Sequence, residues 1–435
     1  MKKVYYGIGL LAAAGMFLFG CAGSGGDRAE GAVDTKETVP CADTVGQTQL
    51  QEPQTAHAGT GSRSLPESEA LVFVENMKIG WNLGNTFDAV DYGGLSDELQ
   101  YESCWSGAVT TKEMIDTLKE AGFQTIRIPV SWHNHLVPGS ESPVFVADTN
   151  NTISKAWLDR VQEVVDYAIE DDMYVILNIH HDNSKEYLYP SSEYLEQSKT
   201  YVTDIWRQVA ERFKDYDGHL ILEAMNEPRL VGTSHEWWLE ADNQDCIDAV
   251  ECINALNLAF VDVVRSSGGN NAGRYLMVPG YAASLDGAVH PKFSLPEDIA
   301  ENQNKILVSV HAYTPYAFAL QAPEESGSTD TFNIEETTST ADIDYLMNTL
   351  YDTYIQNGTG VVIGEFGARD KGGNTQARAD FCAYYVEAAR AKGITCCVWD
   401  NNSFTGSGEN FGFFERSTLQ FPYPEILRSF MEHCE

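Results

Sequence analysis

The sequence predicts an α/β chain folded as a (β/α)8 TIM barrel, preceded by a signal peptide and a disordered tether. Three observations carry the prediction. Eight short apolar, β-branched runs punctuate the chain after residue 65. Segments with helical apolar spacing separate most of them, and polar and aromatic residues collect just past the C-terminal ends of the runs. The runs fall at 79–83, 125–130, 174–179, 220–225, 275–279, 306–310, 360–364 and 395–399. Between them, 111–121 puts Met114, Ile115 and Leu118 on one face, and 156–169 does the same with Leu158, Val161, Val165 and Ala168. Eight such units favour a closed barrel over a doubly wound sheet. Residues 65–435 exceed the roughly 250 typical of such a barrel, and the excess falls after the third, fourth and sixth runs. The acidic, Thr/Ser-rich stretch 323–344 is expected to be a mobile surface loop. No internal repeat is visible, which sets solenoids and propellers aside.

The N-terminus points to export. Lys2 and Lys3 precede an apolar run over 4–19, the pattern of a secretory signal peptide. The run ends in Leu18-Phe19-Gly20-Cys21, which resembles a bacterial lipobox, in which cleavage before the Cys leaves its thiol to receive a lipid. Residues 1–20 are therefore expected to be removed and Cys21 to anchor the chain to a bacterial membrane, facing the periplasm or the cell surface. Residues 22–64 contain no Phe, Trp or Tyr and read as a flexible linker, so 21–64 forms the tether and 65–435 the single folded domain.

Composition narrows the partners. A content of 43% hydrophobic and 11% aromatic residues is enough for a large core. With 28 Lys+Arg against 64 Asp+Glu the net charge is −36, which repels nucleic acid; no nucleic-acid or protein partner is implied. Export would permit disulfides among the cysteines other than Cys21, with Cys246 and Cys252 the local pair expected to bond. Cys396 and Cys397 read as small buried residues on opposite faces of a strand. No C-x-x-C spacing suggests zinc. Nor is there a G-x-S-x-G or a nucleotide-binding glycine motif, so no cofactor is expected.

Two carboxylates stand out. The fourth run leads into Asn226-Glu227-Pro228 and the seventh into Gly364-Glu365-Phe366-Gly367. An ionised Glu at the end of an apolar strand needs a partner or a task. Two of them facing each other suit glycoside hydrolysis, where one carboxyl protonates the leaving oxygen and the other attacks or activates water.

The ordered set Ile79-Gly80-Trp81-Asn82-Leu83-Gly84-Asn85-Thr86, Ile126-Arg127-Ile128-Pro129-Val130, Asn178-Ile179-His180-His181, Leu222-Glu223-Ala224-Met225-Asn226-Glu227-Pro228, His311-Ala312-Tyr313 and Ile363-Gly364-Glu365-Phe366-Gly367 resembles glycoside hydrolase family 5. The resemblance covers the whole barrel. It implies a retaining enzyme with Glu227 as acid/base and Glu365 as nucleophile. Arg127 would orient the nucleophile, and Asn226 would hydrogen-bond the sugar 2-hydroxyl. His180, His311 and Tyr313 would complete the polar ring of the cleavage subsite, Trp399 would form its aromatic floor, and His181 would reach the glycone side. No metal is expected, since adjacent residues on a strand point to opposite faces and the rings of His180 and His181 should not converge. Trp105, Trp132, Trp237 and Trp238 are expected in loops as outer sugar subsites, Trp157 and Trp206 in helix packing. Within the family the motifs look most like endo-β-1,4-glucanases, with licheninase or xyloglucanase next, so a β-glucan is the expected partner. A non-catalytic glycan-binding lipoprotein is the rival from another class. Its mark would be the loss of a carboxylate, and both are present.

Overall fold

The computed structural model describes residues 64–137, 151–299, 302 and 304–434. The expected signal peptide, Cys21 and all of the tether but Ser64 lie outside the described residues. Among the described residues ten strands follow in chain order: β1 (Ile79–Leu83), β2 (Thr125–Ile128), β3 (Leu136–Val137), β4 (Thr152–Ile153), β5 (Tyr174–Asn178), β6 (Leu220–Glu223), β7 (Leu276–Pro279), β8 (Ile306–His311), β9 (Val361–Phe366) and β10 (Thr395–Asp400). Eight of them close a parallel barrel in the order β1-β10-β9-β8-β7-β6-β5-β2, and β3 pairs with β4 as a small antiparallel ribbon at the mouth loop after β2. The expected (β/α)8 barrel is the fold observed. The eight predicted runs match it, with ends displaced by one or two residues.

Alternation along the strands sorts the side chains. On the outer face Ile126, Leu177, Leu222, Val278, Val308, Ile363 and Val398 join the main core under the helices. The helix Lys155–Glu170 buries Leu158, Val161, Val164, Val165 and Ala168 there, at the spacing read from the sequence. Inside the barrel Ile176, Ile221, Met277, Leu307, Val362 and Cys397 form a separate apolar cluster. The helix Glu69–Asn76 caps it at the N-terminal end of the barrel through Ala70 and Val74, and Phe73 stacks on Tyr275 at 3.8 Å. Two residues further along β5, β6 and β8, the next inward positions are Asn178, Glu223 and Ser309. The interior therefore changes from apolar to polar within one pleat, just beneath the C-terminal mouth.

Strand β9 breaks the alternation. Val310 pairs with Ile363 but His311 pairs with Glu365, so Gly364 is an extra residue in the ladder. Val362 points inward, and without the bulge Glu365 would point outward. With it, Glu365 enters the mouth and Phe366 turns out to stack on Tyr385 at 4.6 Å. Gly364 has the room for this because it lacks a Cβ, which would sit 3.0 Å from His311 Nε2.

Three expectations need correction here. Cys246 and Cys252 both lie on the helix Gln244–Ser266 and are free. Six residues of helix rise about 9 Å, beyond disulfide reach. The stretch 323–344 is not all loop, because the helix Thr337–Thr353 begins within it and buries Thr340 and Ile343. Long mouth segments follow β1, β2 and β10 as well as the three runs expected, since 401–423 alone connects β10 to the last helix, Pro424–His433. Cys396 and Cys397 are buried in different clusters on the two faces of β10, as read.

Candidate active site

The mouth of the barrel gathers the expected residues around one guanidinium. Arg127, fully buried, extends from β2 into the centre. Its Nη1 donates to Glu365 Oε1 at 2.8 Å and to Asn82 Oδ1 at 3.0 Å, and its Nε donates to Glu223 Oε2 at 2.8 Å. Its Nη2 donates to Asn226 Oδ1 at 2.7 Å and lies 3.3 Å from His311 Nε2. Burial alone would weaken the Arg127 charge, but the adjoining carboxylates more than offset this, and its pKa rises above its already high ordinary value.

Both oxygens of Glu365 are held, the second by the Tyr313 hydroxyl at 2.9 Å. Burial, together with the neighbouring Glu365 charge, pushes the Tyr313 phenol well up, so it stays a donor. Across the mouth, Glu227 Oε1 lies 2.8 Å from His311 Nδ1. A guanidinium can only donate, so His311 Nε2 accepts from Arg127 and Nδ1 carries the proton toward Glu227. Burial raises the Glu227 carboxyl, while the hydrogen bond from His311 and the nearby Arg229 guanidinium lower it; the net is below the usual range. Oxygens of Glu227 and Glu365 and a ring nitrogen of His311 all fall within 4.8 Å of one another.

His180 is buried and its ring lies parallel to Trp399, at 5.9 Å between centroids. The Val130 N–H donates to Asn178 Oδ1 at 3.0 Å, which fixes that amide. Its Nδ2 must then donate to His180 Nδ1 at 3.2 Å. The His180 proton therefore sits on Nε2 as a hydrogen-bond donor. Burial and the nearby positive groups hold this ring well below its usual pKa, so it is neutral. Trp399 lies flat because Gly84 carries no side chain; a Cβ there would be 2.8 Å from Trp399 Cζ2.

One expectation about the histidines fails. The rings of His180 and His181 are 4.4 Å apart, and with Asp88 they bring three ligand-type atoms within 4.8 Å. Both residues lie beyond the end of β5, where strand alternation no longer separates them. The Asn178 amide still keeps the His180 proton on Nε2, which opposes a metal at that nitrogen.

The tryptophans divide differently from the reading. Trp132 is fully buried and donates to Asn178 O at 3.0 Å, so it is core and offers no sugar platform. Trp105 is exposed with its ring 6.0 Å from His181, Trp238 is exposed, and Trp237 is covered by Arg229 at 3.8 Å. Trp157 and Trp206 are packing residues, as read.

The sequence reading missed the layer beneath the site: Asn82, Asn178, Glu223 and Ser309, and Asp88 beside His181. A signal existed. Stepping back two residues from His180 or His311, or four from Glu227, reaches a polar residue inside an apolar strand, and alternation places it inward.

A close carboxyl pair at the C-terminal mouth of a (β/α)8 barrel, ringed by neutral donors and one buried guanidinium, defines a glycoside hydrolase. The model of the cellulase family (glycosyl hydrolase family 5) matches residues 90–405, and the chain belongs to that family. It is 40% identical over 409 residues to an endoglucanase B of Ruminococcus albus, covering 94% of this chain and 87% of that one. It is also 40% identical to an endoglucanase A of Clostridium longisporum, covering 82% of this chain but spanning only 64% of that enzyme. Among solved structures, a family 5 lichenase from a Caldicellulosiruptor species aligns with a TM-score of 0.82 and 56% identity, over 89% of this chain and 100% of that one.

Proposed function

We propose that the chain is a retaining endo-β-1,4-glucanase that hydrolyses internal bonds of β-glucans by double displacement. The observation that supports this most is the carboxyl pair. An oxygen of each lies within 4.8 Å of the other, closer to the roughly 5–5.5 Å between the carboxyl groups of retaining enzymes than to the roughly 6.5–9.5 Å of inverting ones. Glu365, aligned by Arg127 and Tyr313, attacks the anomeric carbon and forms a glycosyl ester as the bond to the leaving oxygen breaks. Glu227 gives that oxygen its proton, then takes one from the water that cleaves the ester. Because His311 occupies Oε1, Oε2 is the oxygen that exchanges this proton. In the empty cleft Glu227 rests ionised. A sugar that strips water from it raises its pKa, which is the change the acid role needs.

The remaining residues bind. Asn226 spends its oxygen on Arg127 and keeps its amide N–H for the sugar 2-hydroxyl. The His180 Nε2–H donates to a neighbouring hydroxyl, Trp399 carries the apolar sugar face, and His181 with Trp105 edges the glycone side. A licheninase uses the same groups, and the 56% identity to a lichenase favours it as a second reading. Initial rates on carboxymethylcellulose, barley β-glucan, xyloglucan, mannan and xylan decide between them. We further propose export with a lipid on Cys21, on the strength of the Lys2-Lys3, apolar 4–19 and Leu18-Phe19-Gly20-Cys21 pattern.

The roles are tested with azide and an activated aryl β-cellobioside. Glu227→Ala keeps the nucleophile, so azide intercepts the glycosyl ester and the product is the β-glycosyl azide. Glu365→Ala opens space for azide to attack directly, giving the α-glycosyl azide. The reverse outcome by proton NMR means acid/base and nucleophile are exchanged.

A further inference from the structure

Glu223, the last residue of β6, is a second carboxylate on the Arg127 guanidinium, buried completely one pleat below the chemistry. Its Oε2 accepts from Arg127 Nε at 2.8 Å and from Asn178 Nδ2 at 3.1 Å, and its Oε1 accepts from the Ser309 hydroxyl. It touches no position a sugar would occupy. The ion pair is closed to solvent on both sides.

We propose that Glu223 is a positioning residue that keeps Arg127 charge-compensated throughout the reaction cycle; this rests on the retaining reading of Glu365. With one guanidinium and two carboxylates the resting core of the site carries −1. When Glu365 attacks, its negative charge is consumed in the C–O bond of the ester, and Arg127 and Glu223 remain as a neutral pair. Without the Glu223 charge the same step runs from neutral to +1. It would leave a buried guanidinium uncompensated beneath a carbon that is itself gaining positive charge. Glu223 also takes a share of Arg127 that Glu365 would otherwise hold alone, so Arg127 orients the nucleophile without neutralising it. Through Asn178 the same carboxylate steadies the amide that sets the His180 tautomer.

Several other groups act on Glu365. From β8 and the segment after it come His311, 3.7 Å away, and Tyr313; Glu227 lies across the mouth. The charges of His181 and Glu409 also reach it, and Cys397 on β10 stands below both Glu223 and Glu365. All of these remain in place when only Glu223 is changed.

The test is the pH profile of kcat/KM on an activated aryl β-cellobioside for the wild type, Glu223→Gln and Glu223→Asp. The Gln variant is isosteric and keeps an acceptor for Arg127. Its kcat/KM should fall on the order of 10²-fold, and its acidic limb should move to lower pH, because Arg127 now serves Glu365 alone. The Asp variant keeps the charge at a longer reach and should shift the limb the same way by less, so it carries the test if the Gln variant does not fold. A folded variant with reduced rate but an unmoved acidic limb overturns the proposal in favour of a purely structural role. An inactive wild type, or one with no acidic limb, overturns the retaining reading on which it rests.

Discussion

Asp182 offers a direct measure of how the mouth loops are held. One of its oxygens, Oδ1, accepts from Trp132 N at 2.9 Å, His133 N at 2.7 Å, His133 Nδ1 at 3.0 Å and Tyr201 Oη at 2.7 Å. The residue is buried and ties the segment after β2 to the segment after β5. Asp182→Asn retains an oxygen for all four donors, removes the charge and puts an amide NH2 where the buried Oδ2 has no partner. Hydrogen bonds to an ionised group contribute about 1.5–3 kcal/mol against about 0.5–1.5 for neutral ones, and relief of the buried charge offsets part of the difference. The expected loss is about 2 kcal/mol, or roughly 2–3 °C in Tm for a domain of this size.

Its pH dependence identifies the cause. Burial raises the Asp182 carboxyl, but the hydrogen bond and charge of His133 with those of Tyr201 and the backbone outweigh it and leave it depressed. That stabilisation is present above the unfolded value of about 3.9 and lost as pH falls through the folded one. Burial lowers His133, but Asp182 and Asp91 outweigh it and leave it raised. Its stabilisation is complete below about 6.5 and lost as pH rises through the folded value. The difference between wild type and Asp182→Asn should therefore be largest between about pH 4 and 6.5 and shrink toward pH 8.5. Urea unfolding followed by Trp fluorescence from pH 4.5 to 8.5 measures it. A difference constant with pH, or an Asn variant more stable near pH 5.5, refutes the reasoning.

Two further outcomes are expected. Trp399→Ala should lower kcat/KM on β-glucan by roughly 10- to 100-fold with folding intact by circular dichroism, because the apolar sugar face loses its platform, and Trp399→Phe should fall between. Cys21→Ser should move the protein out of the detergent phase on fractionation while leaving activity on soluble β-glucan unchanged. Continued partition into detergent would show that the apolar run over 4–19 is itself the anchor.

The barrel was legible because each strand is a short β-branched run and each helix carries its apolar stripe, as in Leu158, Val161, Val165 and Ala168. Glu227 and Glu365 were legible because a carboxylate at the end of such a run is conspicuous. Arg127, Asn226, His311 and Tyr313 followed from the motif order. What escaped depended on contacts far along the chain or on where an element begins and ends. Trp132 reads like a loop aromatic until Asn178, 46 residues away, is seen to take its N–H. His180 and His181 read as diverging until the strand is seen to end at Asn178. Cys246 and Cys252 look like a pair until the helix between them fixes their separation.

The extra residue at Gly364 means that β9 is out of phase with itself. Below the bulge the even-numbered position Val362 faces the barrel axis, and above it the odd-numbered Glu365 does. A deletion of Gly364 would keep every functional group in the chain and restore ordinary pleating. Glu365 would then follow Ile363 directly, opposite His311 and still facing the axis, with Phe366 still turned out. The facing of the nucleophile thus depends on Gly364 staying out of the ladder: a strand that took it in as a paired residue would turn Glu365 outward toward Tyr385 with no change of sequence at all.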